Sequence, residues 1–163
     1  MSNIYELEKK IWTESDFAIM GWHDSTIYGM ALYSEPSTLI TELIFDIDYI
    51  FQWIQPVAPN SHFSFWLAPA TLAFKNVYNL NIQISQHPPN IFDLEITDIH
   101  RLEQSVYPNS LPFWKWHVEL LNGDIYFESN GYEQFTRQSP LLAHGQQFPP
   151  QLRGGTTFDK CTF

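Results

Sequence analysis

The strongest hydrophobic pattern in the chain is the alternation between Glu42 and Ile54. Apolar side chains occupy the odd positions, which are Leu43, Phe45, Ile47, Tyr49, Phe51 and Trp53. The even positions hold Glu42, Asp46, Asp48 and Gln52 together with three isoleucines. A period of two predicts a β-strand with one apolar face and one largely acidic face. Thirteen residues would span roughly 43 Å if unbroken, so we expect a bend or a bulge.

Other segments repeat this pattern. The run Ile27 to Tyr33 is apolar on both faces and ends at a turn, which predicts a hairpin with the Glu42 strand. Further strands are predicted at His62 to Leu67, Thr71 to Val77 (after Pro69), Leu80 to Ile84 and Phe92 to Thr97. About seven or eight strands favour a mainly β fold, either an antiparallel sandwich or a strongly twisted, partly closed sheet.

The best-defined hairpin surrounds Asn122-Gly123, a dipeptide that favours the positive φ angles of a type I′ turn. A two-residue loop there predicts the facing pairs across the two strands. These pairs are Leu120 with Ile125, Val118 with Phe127, Trp116 with Ser129, His117 with Glu128, and Glu119 with Tyr126.

The two ends of the chain lack this alternation. Asn3 and Glu6 form a capping-box pattern that predicts a short N-terminal helix reaching Trp12. Residues 1–137 are predicted to form a single β-rich domain, and residues 138–163 an irregular, proline- and glycine-containing tail packed on it. The tail offers three apolar docking points, Phe148, Leu152 and Phe158.

Composition limits the classes of partner. The chain has 163 residues and a formal net charge of −10, which repels phosphate backbones and disfavours nucleic acid as a ligand. A basic protein partner or a bound cation suits this charge, although acidic excess also serves solubility. The lone Cys161 excludes an internal disulfide and fits a reducing compartment. We predict a cytoplasmic protein, since no apolar run is long enough to cross a membrane and no secretion signal begins the sequence.

Two groups of residues could carry chemistry. His23 and Asp24 precede one predicted strand, and Asp46 and Asp48 share one face of its neighbour about 7 Å apart, so the four could hold a metal ion. The alternative is that these acids are solvated residues on an outer strand face. The second group is His117 with Glu128, which could form a general base or a simple exposed pair. The common catalytic motifs are absent, and no cofactor is predicted.

Several stretches resemble a group of small bacterial β-rich proteins. They are His23-Asp24-Ser25 with Ile27, Leu43 to Asp48, and Phe74 to Ile82. Some members of this group are similar to immunity proteins of polymorphic toxin systems. The resemblance implies a β-rich fold without established catalytic residues and, for the immunity-like members, neutralisation of a toxin by binding it.

The leading hypothesis is therefore a binding protein that occludes a basic partner through an acidic face, and the resemblance implies an immunity-like role for it. That face comprises Glu42, Asp46, Asp48, Asp93 and Glu95, with Trp22, His23 and Asp24 beside it. Exposed aromatic residues such as Trp22 or Tyr28 would anchor the contact. One alternative is a metal-assisted hydrolase or other small-molecule enzyme that uses His23, Asp24, Asp46 and Asp48. Another is a structural or oligomer-forming module, and the sequence leaves the oligomeric state open.

Overall fold

The computed structural model describes residues 4–86, 94–107 and 111–163, and these form one open, antiparallel sheet of ten strands. The strands are β1 Ile11–Thr13, β2 Ser25–Glu35, β3 Ile40–Ile54, β4 Ser64–Lys75, β5 Tyr78–Ile84, β6 Leu94–Ser105, β7 Phe113–Leu120, β8 Gly123–Ser129, β9 Gly131–Thr136 and β10 Leu141–Ala143. Their order is β1-β9-β4-β3-β2-β6-β7-β8-β5, and β10 pairs with β4. The predicted mainly β, antiparallel fold is confirmed.

The sheet curls so that its two halves pack against each other. Phe74 on β4 and Trp116 on β7 are four strands apart in the sheet, about 19 Å if the sheet were flat. Their ring centroids are nevertheless 5.2 Å apart, and Phe74 also lies 4.7 Å from Phe127 on β8. Trp22 and Tyr132 complete this aromatic core. The apolar faces of both halves are thus buried without a second sheet.

The central hairpin of β2 and β3 confirms the prediction made from the alternation. Met30 lies opposite Phe45, and the register shifts between Ile27 and Gly29. β3 also shifts against β4 between Ile50 and Gln52, as expected for so long a strand. Eight consecutive residues of β3, Leu43 to Ile50, are buried, so both faces of this part of the strand are covered.

The sequence predicted that Pro69 separates two strands, but β4 continues through it without a break. The carbonyl of Pro69 accepts a hydrogen bond from Arg137 N at 2.9 Å, so this peptide faces the β9 side of the strand. On that side β9 ends opposite Ala70, and β10 pairs only as far as Leu67. The missing N–H of Pro69 therefore falls in the gap between two neighbouring strands, where no ladder bond is lost.

The hairpin of β7 and β8 is confirmed, but its predicted register is wrong by two residues. Leu120 pairs with Gly123 and His117 with Tyr126. Neither Asn122 nor Gly123 has a positive φ angle, so the loop is not the predicted type I′ turn. Because the error is an even number of residues, the assignment of side chains to the inner and outer faces is still correct.

The ends of the chain differ most from expectation. The described residues before β1 are not helical, and the only helical turn near this end is a 3₁₀ helix at Glu14–Ile19. The C-terminal segment 138–163 is more regular than predicted, since it contains β10 and the short helix α1, Pro150–Arg153. Within the described ranges, no helix is long and apolar enough to cross a membrane.

Candidate functional site

The centre of the predicted acidic face is not exposed, because Asp46 and Asp48 have 0% of their surface accessible. The C-terminal segment 138–163 covers this side of β3. Its backbone donates from Phe148 N to Asp48 at 2.8 Å and from Thr157 N to Asp46 at 3.1 Å. The expectation that these two acids are solvated is therefore wrong.

Two arginines neutralise these carboxylates in what we call the aspartate–arginine cluster (Asp46, Asp48, Arg137 and Arg153). Arg153 donates to both oxygens of Asp46 at 2.7 and 2.9 Å and from Nε to Asp48 at 3.2 Å. Arg137 donates to Asp46 at 2.5 Å. Burial opposes the charge of Arg153, but the hydrogen bond to Asp46 and the charges of both aspartates raise its pKa. The cluster is balanced internally and tethers α1 to β3.

Docking of the C-terminal segment follows the predicted apolar contacts only in part. Phe148 is buried and packs with Ile50, Phe65 and Leu67, as predicted. Phe158 lies against the Cα of Gly29, where an added Cβ would be 3.0 Å from its ring. Leu152 is 55% exposed and does not dock.

The aromatic anchors predicted for the acidic face are mostly occupied within the protein. Trp22 is 1% exposed, and its Nε1 donates to Gln134 at 2.8 Å, so its predicted exposure is wrong. Tyr28 donates its hydroxyl to Asp48 at 2.9 Å, and the Arg153 guanidinium lies 3.7 Å from its ring. Burial, with the charge of Asp48, raises the pKa of Tyr28 far above its usual range.

The remaining acids of the predicted face do not form a continuous surface. Glu42 accepts a hydrogen bond from Lys160 at 2.7 Å, and its side chain is 12% exposed. Glu95 is half-buried on β6, opposite Thr26. Asp93 lies outside the described residues. No acidic binding face can therefore be assembled from the described members of this group.

The hydrogen bonds of His23 and Asp24 are with partners other than the buried aspartates. His23 Nδ1 lies 2.9 Å from the carbonyl of Thr97, and Asp24 accepts a hydrogen bond from Gln146 at 2.6 Å. Across the described residues, no group of three or more His, Cys, Asp or Glu side chains is placed to hold a metal ion. The geometry therefore gives no support to the metal-site alternative.

The predicted pair of His117 and Glu128 is also wrong, as a consequence of the register. His117 Nε2 contacts Asp124 at 2.7 Å and its ring stacks on Tyr126 at 4.3 Å. Glu128 instead lies opposite Lys115 on β7 and Tyr78 on β5. The sequence thus selected Glu128 as a residue of interest but assigned it the wrong neighbours.

Glu128 lines a cavity of about 390 Å³, which we call the Glu128 cavity. It is lined by Tyr78, Asn79, Tyr107, Phe113 and Glu128. The Phe113 ring centroid is 5.5 Å from that of Tyr78 and 5.6 Å from that of Tyr107. Three aromatic rings thus stand beside one carboxylate in a space large enough for a small ligand or one long side chain.

Glu128 is held by neutral hydrogen-bond donors. The Tyr107 hydroxyl donates to Oε1 at 2.9 Å, and the Asn79 amide donates to Oε2. A β-bulge between Tyr78 and Asn81, with Asn79 at a φ angle of 53°, directs that amide toward Glu128. These donors orient the carboxylate without cancelling its charge.

The carboxylate is ionised at neutral pH although it is only 6% exposed. The hydrogen bond from Asn79 lowers the pKa of Glu128 against the opposing effect of burial, assisted by hydrogen bonds from Tyr107 and Ser105 and, to a smaller degree, by the charge of Lys115. Lys115, the basic residue opposite, directs its ammonium to Glu103 at 2.6 Å. Within the described ranges, no Lys or Arg forms an ion pair with Glu128.

This combination of groups suits an organic cation. Aromatic faces attract ammonium and guanidinium groups through their quadrupoles, and desolvation strengthens that attraction. A carboxylate beside the rings adds a charge-assisted hydrogen bond. The cavity therefore provides both the aromatic rings and the carboxylate that hold an alkylammonium group, and the carboxylate is oriented before the ligand arrives.

Sequence reasoning missed the cavity because its walls come from four separate segments. Tyr107 follows β6, Phe113 begins β7, and Tyr78 begins β5. Their proximity depends on the sheet order, which alternation does not reveal. The one available sign was Glu128 itself, an acid between Phe127 and Ser129 in a strand flanked by core residues.

A second cavity of about 380 Å³ contains a serine and a histidine. Ser64 Oγ lies 3.3 Å from His144 Nδ1, and His62 is also in the wall. A nucleophilic serine needs a base that a third group orients, and no carboxylate lines the described part of this cavity. It is a weaker candidate than the Glu128 cavity.

Comparisons with known proteins were made by a scan of protein-family models, a search of curated proteins and a search of solved structures, and none of the three found a match.

Proposed function

We propose that this chain is a binding protein for a basic partner and that the Glu128 cavity receives a cationic side chain of that partner. The observation that carries the proposal is a buried, ionised carboxylate that neutral donors hold beside three aromatic rings. The charge of Lys115 acts on Glu128 only without a direct ion pair, so a cation bound in the cavity would supply the direct counter-charge that offsets the cost of burial.

Recognition would proceed in two stages. The net charge of −10 speeds the approach of a basic partner over distances of about a Debye length, roughly 10 Å at 0.1 M salt. A lysine or arginine side chain then enters the Glu128 cavity, where the rings of Tyr78, Tyr107 and Phe113 surround its alkyl chain. Long-range charge thus determines the rate of encounter, and the cavity determines which group is held.

The resemblance to immunity proteins suggests one biological setting, in which the basic partner is a toxin and binding occludes it. The lone cysteine motivates a cytoplasmic location as part of the same proposal.

The test is a titration of blocked lysine amide into isotopically labelled protein, followed by amide chemical shifts. Fragments of this size bind in the millimolar range or weaker, so the titration must extend through it. We expect shifts centred on β5 and β8, and no comparable shifts with blocked norleucine amide, which has a similar shape and no charge.

Glu128→Gln should weaken lysine amide binding by about tenfold or more, because a charged hydrogen bond contributes about 1.5 to 3 kcal/mol. Glu119→Gln is the matched control, since it removes the same charge from an exposed carboxylate that contacts His100 instead. Equal affinity in wild type and Glu128→Gln, or equal binding of norleucine amide, would refute the proposal.

A further inference from the structure

The two edges of the sheet are protected to very different degrees. At one edge, β1 is only three residues long and directly follows Lys9 and Lys10. Short edge strands and lysines are common protections against pairing with another chain. At the other edge, β5 has seven residues, Tyr-Asn-Leu-Asn-Ile-Gln-Ile, with no charge and no proline. β5 therefore lacks charge and proline as protections, and its bulge lies at its first residues, so the part from Asn81 to Ile84 is regularly paired.

The backbone of β5 shows which of its groups point away from the sheet. Ser85 N donates to the Asn122 carbonyl at 2.9 Å, and the Gln83 carbonyl approaches Gly123 closely. Residues 83 and 85 thus face β8. Since bonding direction alternates along a strand, the N–H and C=O groups of Ile82 and Ile84 point outward.

Two apolar side chains of β5 are also partly exposed on the faces of the sheet. Ile82 is 41% exposed at the middle of β5, and Tyr78 is 54% exposed at its start. In the part of the chain that the structure describes, β8 is the only strand that pairs with β5. A strand added along this edge would bond with the outward groups and place its own side chains beside Ile82.

The outer edge of β5 is continuous with the Glu128 cavity, because β5 supplies two of the cavity's lining residues. Tyr78 lies directly opposite Glu128, and Asn79 donates to the same carboxylate. In strand addition, main-chain hydrogen bonds supply affinity, and cavities that bind alternate side chains of the added strand supply specificity. Both elements of that recognition mode are present here.

We infer that the basic partner binds as an extended segment along β5 and places one lysine or arginine side chain in the Glu128 cavity. The inference rests on the function proposed above and specifies how the cation is presented. A second copy of this chain is a poorer occupant of the edge, because it has 18 acidic and 8 basic residues and would bring a second Glu128 toward the first.

The probe is a blocked peptide of roughly nine residues, a typical strand length, with the sequence Thr-Val-Thr-Val-Lys-Val-Thr-Val-Thr. Two further versions carry backbone N-methyl groups at alternate residues, one in each phase, excluding the lysine. An added strand bonds through one of its two edges only. Methylation in one phase should therefore weaken binding by about tenfold or more, while methylation in the other phase leaves it nearly unchanged.

On the protein, Ile82→Pro removes an outward N–H and obstructs the incoming strand, while proline is tolerated at a solvent-facing edge position. Ile82→Val is the control, because it keeps the N–H and the β-branched shape. Ile82→Pro should weaken the unmethylated peptide by about tenfold while blocked lysine amide binds as in wild type. If Ile82→Pro does not fold, the two methylated peptides still decide the question on wild-type protein.

The outcomes separate this inference from the proposed function. Equal weakening by both methylation phases, with lysine still required, overturns strand addition and leaves the cavity function standing. Replacement of the peptide's lysine by norleucine without loss of affinity overturns the cavity function itself. A concentration-dependent dimer in sedimentation that Ile82→Pro abolishes would assign the edge to a second copy and overturn the inference.

Discussion

The aspartate–arginine cluster and the Glu128 cavity both bury carboxylates, but they satisfy them differently. Asp46 and Asp48 meet two arginines, so two negative charges face two positive charges. Glu128 meets the neutral side chains of Asn79 and Tyr107, and an open space lies beside it. One site is complete within the protein, whereas the other retains a charge that an external cation can satisfy.

The difference shows how burial alone fails to distinguish structural acids from binding acids. Asp46 is more deeply buried than Glu128, yet every strong partner it needs belongs to the same chain. What marks Glu128 is the absence of an ion pair in the described residues combined with a cavity.

Arg153→Met should lower the free energy of unfolding by about 3 to 5 kcal/mol, because it leaves Asp48 and part of Asp46 buried without their counter-charge. Methionine retains much of the arginine's apolar length, so lost packing contributes little. Urea unfolding measures the effect. Lys75→Met removes an exposed ion pair with Glu133 and should cost less than about 1 kcal/mol. Similar losses for both variants would mean that the cluster is no more than a surface ion pair.

Gly123→Val should cost about 1 to 3 kcal/mol, because a Cβ at this position collides with the Gln83 carbonyl of β5. The physical reason is close approach of two strands, since the φ angle of Gly123 is not positive. Gly145→Val is the control, as nothing lies within 4 Å of an added Cβ there. If urea melts give the same loss for both, β5 does not lie against Gly123.

Glu128→Gln should change the free energy of unfolding by less than about 1 kcal/mol, in contrast to Arg153→Met. The glutamine oxygen can still accept a hydrogen bond from Asn79, and its amide can donate to the Tyr107 oxygen. The substitution therefore leaves no buried charge unpaired. Urea melts of the two variants side by side measure this contrast. A loss approaching that of Arg153→Met would place Glu128 among the structural acids.

Binding of blocked lysine amide should be nearly constant from neutral pH to about pH 4.5 and weaken below it. The hydrogen bond from Asn79 lowers the pKa of Glu128, so its charge is lost only as the pH falls through that lowered value. Lys115, bonded to Glu103, and Tyr107, bonded to Glu128, have raised pKa values and keep their protons throughout. Chemical shift titrations at several pH values provide the measurement, and weakening that begins near neutral pH would implicate another group.

The fold was largely predictable because hydrophobic alternation is a local property. The hairpin of β2 and β3 follows from a few adjacent residues, and so does the inner face of β7 and β8. The register of β7 and β8 was not predictable, because Asn122-Gly123 suggested the wrong turn. Gly123 is required instead because the Gln83 carbonyl of another strand approaches it closely. Tertiary contact thus explains a residue that turn chemistry appeared to explain.

The candidate site was less predictable for the same reason. Alternation distinguishes the two faces of β3 but does not say what covers them, and Asp46 was therefore assigned to solvent. Its partner Arg153 lies in a segment without clear periodicity. Similarly, Tyr107 and Phe113 meet Glu128 only because β8 lies between β7 and β5.

The position of Arg153 along the chain also has a consequence for biosynthesis. Arg153 is made 107 residues after Asp46, which at 5 to 20 residues per second is a delay of roughly 5 to 20 s. During that interval the nascent β3 carries Asp46 and Asp48 without their main counter-charge, and water must solvate both carboxylates. This hydrated face resists pairing with neighbouring chains at the stage when an unfinished sheet is most exposed to aggregation. Once Arg153 has been synthesised, it pairs with both aspartates, and the C-terminal segment can then cover that face of β3.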